Sequence, residues 1–249
     1  MIELDGITVR FGALTAVDQV SFSLADDQIL GLVGPNGSGK STLLNAVTGA
    51  VGASGSVTLD GEALPLGRPT TVARRGIART FQTPQIIDEL TCLENVLLQP
   101  ADRSFTGLTA AWLRRHRMLR CERERWAAGH AALEQVGMGA HANARGDTLS
   151  YGQRRFVELA RAFVAEPRVV LLDEPAAGLN EMEAARLAEL IREFRRRVVP
   201  VIVVEHKIDF INQLCDTLIV LELGRVIARG EPATVWADRA VIDAYLGIA

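Results

Sequence analysis

Ile29-Leu30-Gly31-Leu32-Val33 is almost wholly apolar, and it runs straight into Gly34-Pro35-Asn36-Gly37-Ser38-Gly39-Lys40-Ser41-Thr42. An apolar run of that length reads as a strand buried on both faces, which calls for a sheet covered on each side. Beyond the glycines, Leu43, Leu44 and Val47 share one side of a helix that starts inside the loop at Gly39 and ends near Gly49. Strand, glycine-rich loop and helix in direct succession commit the chain to an α/β architecture.

Gly34-x-x-x-x-Gly39-Lys40-Ser41 matches the phosphate-binding loop pattern, in the strand-to-helix context that confirms it. Glycines let successive backbone N–H groups turn inward onto phosphate oxygens, and the helix N-terminus adds the positive end of a dipole. Lys40 is placed to reach the β- and γ-phosphates of a nucleotide, and the Ser41 hydroxyl to ligate Mg²⁺. Asn36, Gly37, Ser38, Gly39 and Thr42 complete the candidate nucleotide-binding segment.

A second buried strand, Val169–Asp173, ends in an acidic pair. A carboxylate at Asp173 can hold Mg²⁺ directly or through water. Glu174 is suited to act as general base or to orient an attacking water. Pro175 also fits a helix cap and turn, but four apolar residues before Asp173 and the loop upstream favour chemistry.

Around these segments the pattern alternates. Strands are expected at Ile2–Arg10, Val20–Leu24, Ser56–Leu59 and Val198–Val204, with turn signals at Ala25-Asp26-Asp27-Gln28 and Asp60-Gly61. Residues 86–145 read as mostly helical, with Leu90, Leu93, Val96 and Leu97 on one face. Gln153–Glu166 and Glu181–Arg197 carry apolar residues at helical spacing, Pro167 stopping the first. Thr217–Leu221 and Arg225–Arg229 suggest a hairpin around Glu222-Leu223-Gly224. Strands alternating with helices imply a largely parallel sheet with right-handed crossovers.

Leu149-Ser150-Tyr151-Gly152-Gln153, one helix before the acidic strand, resembles the signature of ABC transporter ATPases, with Tyr151 where the family usually has glycine. The resemblance covers nearly the whole chain. It implies one ABC ATPase domain over residues 1–249, with an α/β core and antiparallel β subdomain at 1–85 and 150–249 and a helical lobe at 86–149. It also implies ATP and Mg²⁺ as cofactors. In the family, Ser150, Gly152 and Gln153 would bind the γ-phosphate held by the loop of the opposite subunit, in a head-to-tail dimer. Phe11 matches the aromatic that stacks on adenine, with Val17 beside it. Gln82, in Arg79-Thr80-Phe81-Gln82, matches the glutamine that senses Mg²⁺ and the attacking water. His206 matches the histidine that contacts the γ-phosphate. Ala177-Gly178-Leu179-Asn180 matches the loop that crosses the dimer interface, with asparagine where many relatives have aspartate.

Ala78–Gln82, Leu149–Leu159, the insertion at 99–145 and the tail Val241–Gly247 resemble the ATPase of branched-chain amino acid importers. That resemblance implies two transmembrane permease subunits, a second copy or paralogous ATPase, and a periplasmic substrate-binding protein reached indirectly. It implies a cytoplasmic subunit, peripheral on the inner face of the membrane. Urea, amides or lipopolysaccharide export remain alternative cargoes, since relatives share most motifs. A non-transport ATPase acting on DNA or ribosomes is disfavoured, because such relatives carry long coiled coils or two ATPase units.

Composition agrees. A net charge of −3 gives no global signature of nucleic-acid binding. No apolar run approaches the ~20 residues that span a bilayer, and Met1-Ile2-Glu3-Leu4-Asp5 lacks the marks of a signal peptide. Cys92, Cys121 and Cys215 are far apart and odd in number, which favours reduced thiols over a metal site or disulfide framework. Arg114, Arg115, Arg117, Arg120, Arg123 and Arg125, near Trp112 and Trp126, suit a membrane partner or anionic headgroups. A solvated helix face with Glu122 and Glu124 is the favoured alternative.

Overall fold

The structure, a computed structural model, describes residues 1–98 and 115–246, with side chains of 115–118 left aside. Trp112, Arg114, Gly247 and the first part of the insertion, residues 99–114, lie outside the described residues, as do the Arg115 and Arg117 side chains. Two compact units emerge: Met1–Gln82 with Pro167–Ala249, and Thr83–Glu166.

In chain order the elements begin with β1 (Ile2–Phe11), β2 (Leu14–Leu24), β3 (Ile29–Val33) and α1 (Lys40–Val47). Next come β4 (Ser54–Leu59), β5 (Glu62–Ala63), α2 (Pro69–Arg74), β6 (Ile77–Arg79) and α3 (Cys92–Val96). Then follow α4 (Arg115–Gln135), α5 (Tyr151–Val164), β7 (Val169–Asp173), α6 (Glu181–Arg196) and β8 (Val201–Val204). The chain closes with α7 (Ile208–Leu214), β9 (Thr217–Glu222), β10 (Arg225–Gly230), α8 (Pro232–Trp236) and α9 (Arg239–Leu246).

The first unit holds two sheets, ordered β2-β1-β4-β5 and β10-β9-β3-β8-β7-β6. The former is antiparallel, as expected for the β subdomain. In the latter, β3 pairs in parallel with β8 and β9, and β7 in parallel with β8 and β6. Every residue of β3, β7 and β8 is buried, as their apolar runs require. One apolar cluster joins Ile2, Ile7 and Val20 of the small sheet, Leu43 and Leu44 of α1, and Leu32, Leu171 and Val204 of the large sheet.

Three strand expectations shift. β2 starts at Leu14 instead of Val20, because register irregularities along β1 and β2 break the alternation on which the sequence reading relied. β6 was not expected at all, being three residues long. The run Val198–Val204 is a strand only from Val201. Val198 instead ends α6 at φ 59, its N–H donating to the Arg195 carbonyl at 2.9 Å while Val199 donates to Phe194 at 3.1 Å. That is a Schellman motif, whose left-handed position normally belongs to glycine.

The second unit holds α3, α4 and α5. The sequence reading ended the lobe at residue 149 and returned the next helix to the core, whereas α5 stays with 83–166. Polar ties account for this. Arg161 of α5 donates to the carbonyls of Asn95 and Gln85, each at 2.9 Å, and Arg154 pairs with Asp88 at 2.8 Å. Asn95, fully buried, fastens the segment ahead of α3 by donating to Ile87, Leu90 and Thr91 carbonyls.

Val198 is 61% exposed, so its side chain gives little packing in return for its backbone. Val198→Gly is expected to raise the unfolding free energy by about 0.5–1 kcal/mol, the left-handed penalty less the added chain entropy of glycine. Urea denaturation checks this, and a loss of stability would mean that the valine side chain outweighs its backbone.

Candidate active site

The glycine loop leaves β3 and closes on the N-terminus of α1, with Gly39 in the left-handed region at φ 102. A Cβ there would lie 2.4 Å from the Ala16 carbonyl oxygen, so only glycine fits. The β9–β10 turn braces the loop from outside. Gly224 donates its N–H to the Ser38 carbonyl at 3.0 Å and accepts from Asp18 N–H at 2.8 Å. Leu223 at φ 47 and Gly224 at φ 82 have the signs of a two-residue hairpin turn, and a Cβ on Gly224 would stand 2.8 Å from Ala16 oxygen. The sequence showed the turn but not its service to the loop.

Lys40 lies against this loop. Its ammonium donates to the carbonyls of Gly34 and Pro35, both at 2.8 Å, and to Ser38 Oγ at 3.3 Å. Burial pushes its pKa below the usual lysine value, while the carboxylates of Glu174 and Asp173 pull it back up. Both acids are thus within electrostatic reach of the lysine. Ser38 is buried, Thr42 half-buried, and Asn36, Gly37 and Ser41 exposed.

Because β3, β6, β7 and β8 run parallel, their C-terminal ends share one edge. Asp173 ends β7, Gln82 follows β6 and His206 follows β8. Glu174 sits at φ 46, an uncommon conformation for a non-glycine residue that costs about 1–3 kcal/mol. Its N–H donates to the Val204 carbonyl at 2.8 Å. Gln82 Nε2 donates to Glu174 Oε2 at 2.9 Å, and His206 Nδ1 stands 3.9 Å from the same oxygen. His206 is 59% exposed.

Glu205, overlooked in the sequence as more than a neighbour of His206, organises this edge. Its buried carboxylate accepts from the N–H groups of Ala176 at 3.0 Å, His206 at 2.8 Å and Lys207 at 3.2 Å. Lys207 returns a bond to the Ala176 carbonyl at 2.8 Å. The loops after β7 and β8 are thereby knitted together. An acidic residue directly after an apolar strand was the available signal.

Ser41 at the start of α1, Asp173 at the end of β7 and Gln82 after β6 carry side-chain oxygens of the kind that Mg²⁺ takes. Among the described residues, no group of three or more His, Cys, Asp or Glu side chains is arranged for a metal. Asp173 Oδ1 and the Ser41 hydroxyl carry no protein hydrogen bond there. One carboxylate with neutral oxygens is the kind of donor set that Mg²⁺, which dehydrates reluctantly and keeps several waters, accepts.

The remaining candidates are placed as follows. Phe11, 52% exposed, pairs with Leu14 at the end of β1. Val17 is fully buried, its Cγ2 lying 3.4 Å from where a Cβ on Gly39 would be, so it supports the loop from behind. In the second unit, Ser150 caps α5, accepting from Gln153 N–H at 3.2 Å while Gln153 Oε1 accepts from Ser150 N–H at 2.9 Å. Gly152 is buried in the first turn of that helix. Tyr151 lays its ring 5.9 Å from the Arg155 guanidinium, with its hydroxyl 3.3 Å from Nη2. Asn180 caps α6 in the same reciprocal manner with Glu183, work that needs no negative charge.

A phosphate loop and a sheet edge bearing an acidic pair, a glutamine and a histidine define a P-loop nucleotide-binding protein. Residues 17–177 match the ABC transporter family model, and the chain belongs to that family. It is 36% identical to the high-affinity branched-chain amino acid transport ATP-binding protein BraF of Pseudomonas aeruginosa, over 99% of this chain and 98% of that protein. LivG of Escherichia coli strain K12, which carries the same descriptive name, matches at 36% over the same shares. Among solved structures, a nucleotide-free ATP-binding cassette from an ABC transporter superposes with TM-score 0.86 at 30% identity, covering 98% of each chain. A cassette in its ADP conformation gives TM-score 0.85 at 30% identity, over 99% of this chain and 98% of that one. The chain is thus an ABC-type ATPase. Among the described residues, no helix is long and apolar enough to cross a membrane.

Glu205→Gln replaces an acceptor-only group by one carrying an NH₂ that faces backbone donors. The unfolding free energy is expected to fall by about 1–3 kcal/mol in equilibrium denaturation. Unchanged stability would show that the two loops are held by other contacts.

Proposed function

We propose that this chain is the ATP-hydrolysing subunit of an importer for branched-chain or related amino acids. The observation that carries the chemistry is the gathering of Lys40, Asp173, Glu174, Gln82 and His206 around one edge of the sheet. Support for the cargo comes from the full-length likeness to relatives named for branched-chain amino acid transport.

Loop N–H groups, Lys40 and the N-terminus of α1 hold the β- and γ-phosphates. Phe11 stacks on adenine from its exposed position. Ser41, Asp173 and Gln82 would hold Mg²⁺, which when bound neutralises phosphate charge. Glu174 accepts the proton of the attacking water as its oxygen bonds to the γ-phosphorus. The bond from that phosphorus to the β–γ bridging oxygen breaks, and ADP and phosphate leave. Gln82 orients Glu174 through the bond already formed between them, and His206 donates to a γ-phosphate oxygen.

Ser150, Gly152, Gln153 and the start of α5 serve the γ-phosphate bound to a second copy or a paralogue. Closure of that pair on ATP drives two membrane-spanning permease subunits, and a periplasmic binding protein delivers the amino acid. The chain works at the inner face of the membrane through these partners.

Glu174→Gln is expected to keep ATP affinity while lowering turnover about 10²–10⁴-fold, and to run as a dimer on size-exclusion chromatography in ATP and Mg²⁺. Turnover at the normal rate would remove Glu174 from its role, and a monomer under those conditions would count against the shared site.

A further inference from the structure

Arg79, the last residue of β6, is as buried as its partner Asp173, each side chain 8% exposed. Its guanidinium is shared between two elements. Nη2 donates to Asp173 Oδ2 at 2.9 Å, and Nη1 to Asn45 Oδ1 at 2.6 Å, with Thr48 Oγ1 at 3.5 Å. Asn45 and Thr48 lie on and just beyond α1, the helix that opens with Lys40 and Ser41. The Phe81 ring lies 5.1 Å from the guanidinium carbon. Arg79 Nε is buried with no hydrogen-bond partner. Buried unpaired donors are rare and costly, and a buried ion pair is often no better for stability than apolar packing. What a planar, two-pronged cation supplies that apolar packing does not is fixed geometry between two acceptors.

We infer that Arg79 is a positioning residue for the cation site. It occupies Asp173 Oδ2, so that Oδ1 alone is offered. It also ties α1 to β7, so that Ser41 and Asp173 keep one spacing, and it sits three residues before Gln82. All three proposed Mg²⁺ ligands are thus linked to one side chain. The inference rests on the nucleotide and Mg²⁺ reading given above.

Charge and geometry predict opposite signs here. As a bare positive charge, Arg79 repels a divalent cation, and removing it would tighten metal binding. As a strut, it aligns the ligands, and losing it weakens binding even if the charge is kept. The test uses the whole chain, with Mn²⁺ as probe. ATP affinity is measured in EDTA, then Mn²⁺ affinity in the presence of ATP by electron paramagnetic resonance. Arg79→Lys, which keeps the charge and loses the fork, is expected to weaken Mn²⁺ binding about tenfold or more. ATP affinity in EDTA should stay within about twofold of wild type, since phosphate contacts do not need the cation. Wild-type Mn²⁺ affinity in Arg79→Lys, or tighter binding in Arg79→Met, overturns the inference. Asn45→Ala, which frees the guanidinium from α1 while sparing the Asp173 pair, should weaken Mn²⁺ binding in the same direction. It decides the matter if the Arg79 variants do not fold, and an unchanged affinity there overturns the inference. If wild type binds neither ATP nor Mn²⁺, the underlying nucleotide reading falls, and this inference with it.

Discussion

β3 is hydrogen-bonded on both sides by parallel neighbours, Leu30 facing Ile202 and Thr217, Leu32 facing Val204 and Ile219. Parallel pairing sends every chain end the same way. Loops that follow β3, β6, β7 and β8 therefore emerge along a single edge, where ligands of open α/β sheets bind. The glycine loop, Gln82, Asp173-Glu174 and His206 are far apart in sequence and neighbours only because of this ladder. Burial of β3, β7 and β8 on both faces suits their central places in the sheet, between β9 and β6.

Charge at that edge is arranged by polar bonds of unequal kind. Lys40 is partly desolvated against loop carbonyls and steadied by two carboxylates. Those carboxylates are held apart by different partners, Asp173 by Arg79 and Glu174 by Gln82. Glu205 takes three backbone N–H groups and so shapes the ground on which Glu174 and His206 stand. The left-handed backbone at Glu174 is tolerated because its N–H is bonded to Val204 and the chain beyond is fastened at Ala176.

Much of this was legible in the sequence where local pattern and tertiary role coincide. The glycine loop, β3, β7 and α6 each carry their apolar period and terminal residues in one continuous stretch. β6 was not legible, because three residues hold no period, although Gln82 just after it was recognised from its motif. Val198 looked like strand because β-branched residues usually are, yet helix termination claimed it. Val17 was placed beside Phe11 by likeness alone, while its burial in β2 and its approach to Gly39 come from packing that only the fold shows. The membership of α5 depended on Arg154 and Arg161, whose partners lie some sixty to seventy residues upstream. Gly224 and Glu205 act through backbone groups of distant loops: the turn and the acidic residue after an apolar strand were visible, but their partners were not.

The central claim is that the glycine loop of one copy and the N-terminus of α5 in another act on the same γ-phosphate. Hydrogen–deuterium exchange on the Glu174→Gln protein, with and without ATP and Mg²⁺ over a range of protein concentrations, tests it most directly. Residues 36–42 should gain protection at every concentration, and residues 150–154 only as the dimer forms. Protection of 150–154 in dilute monomer, or its absence in the ATP-bound dimer, would contradict the account.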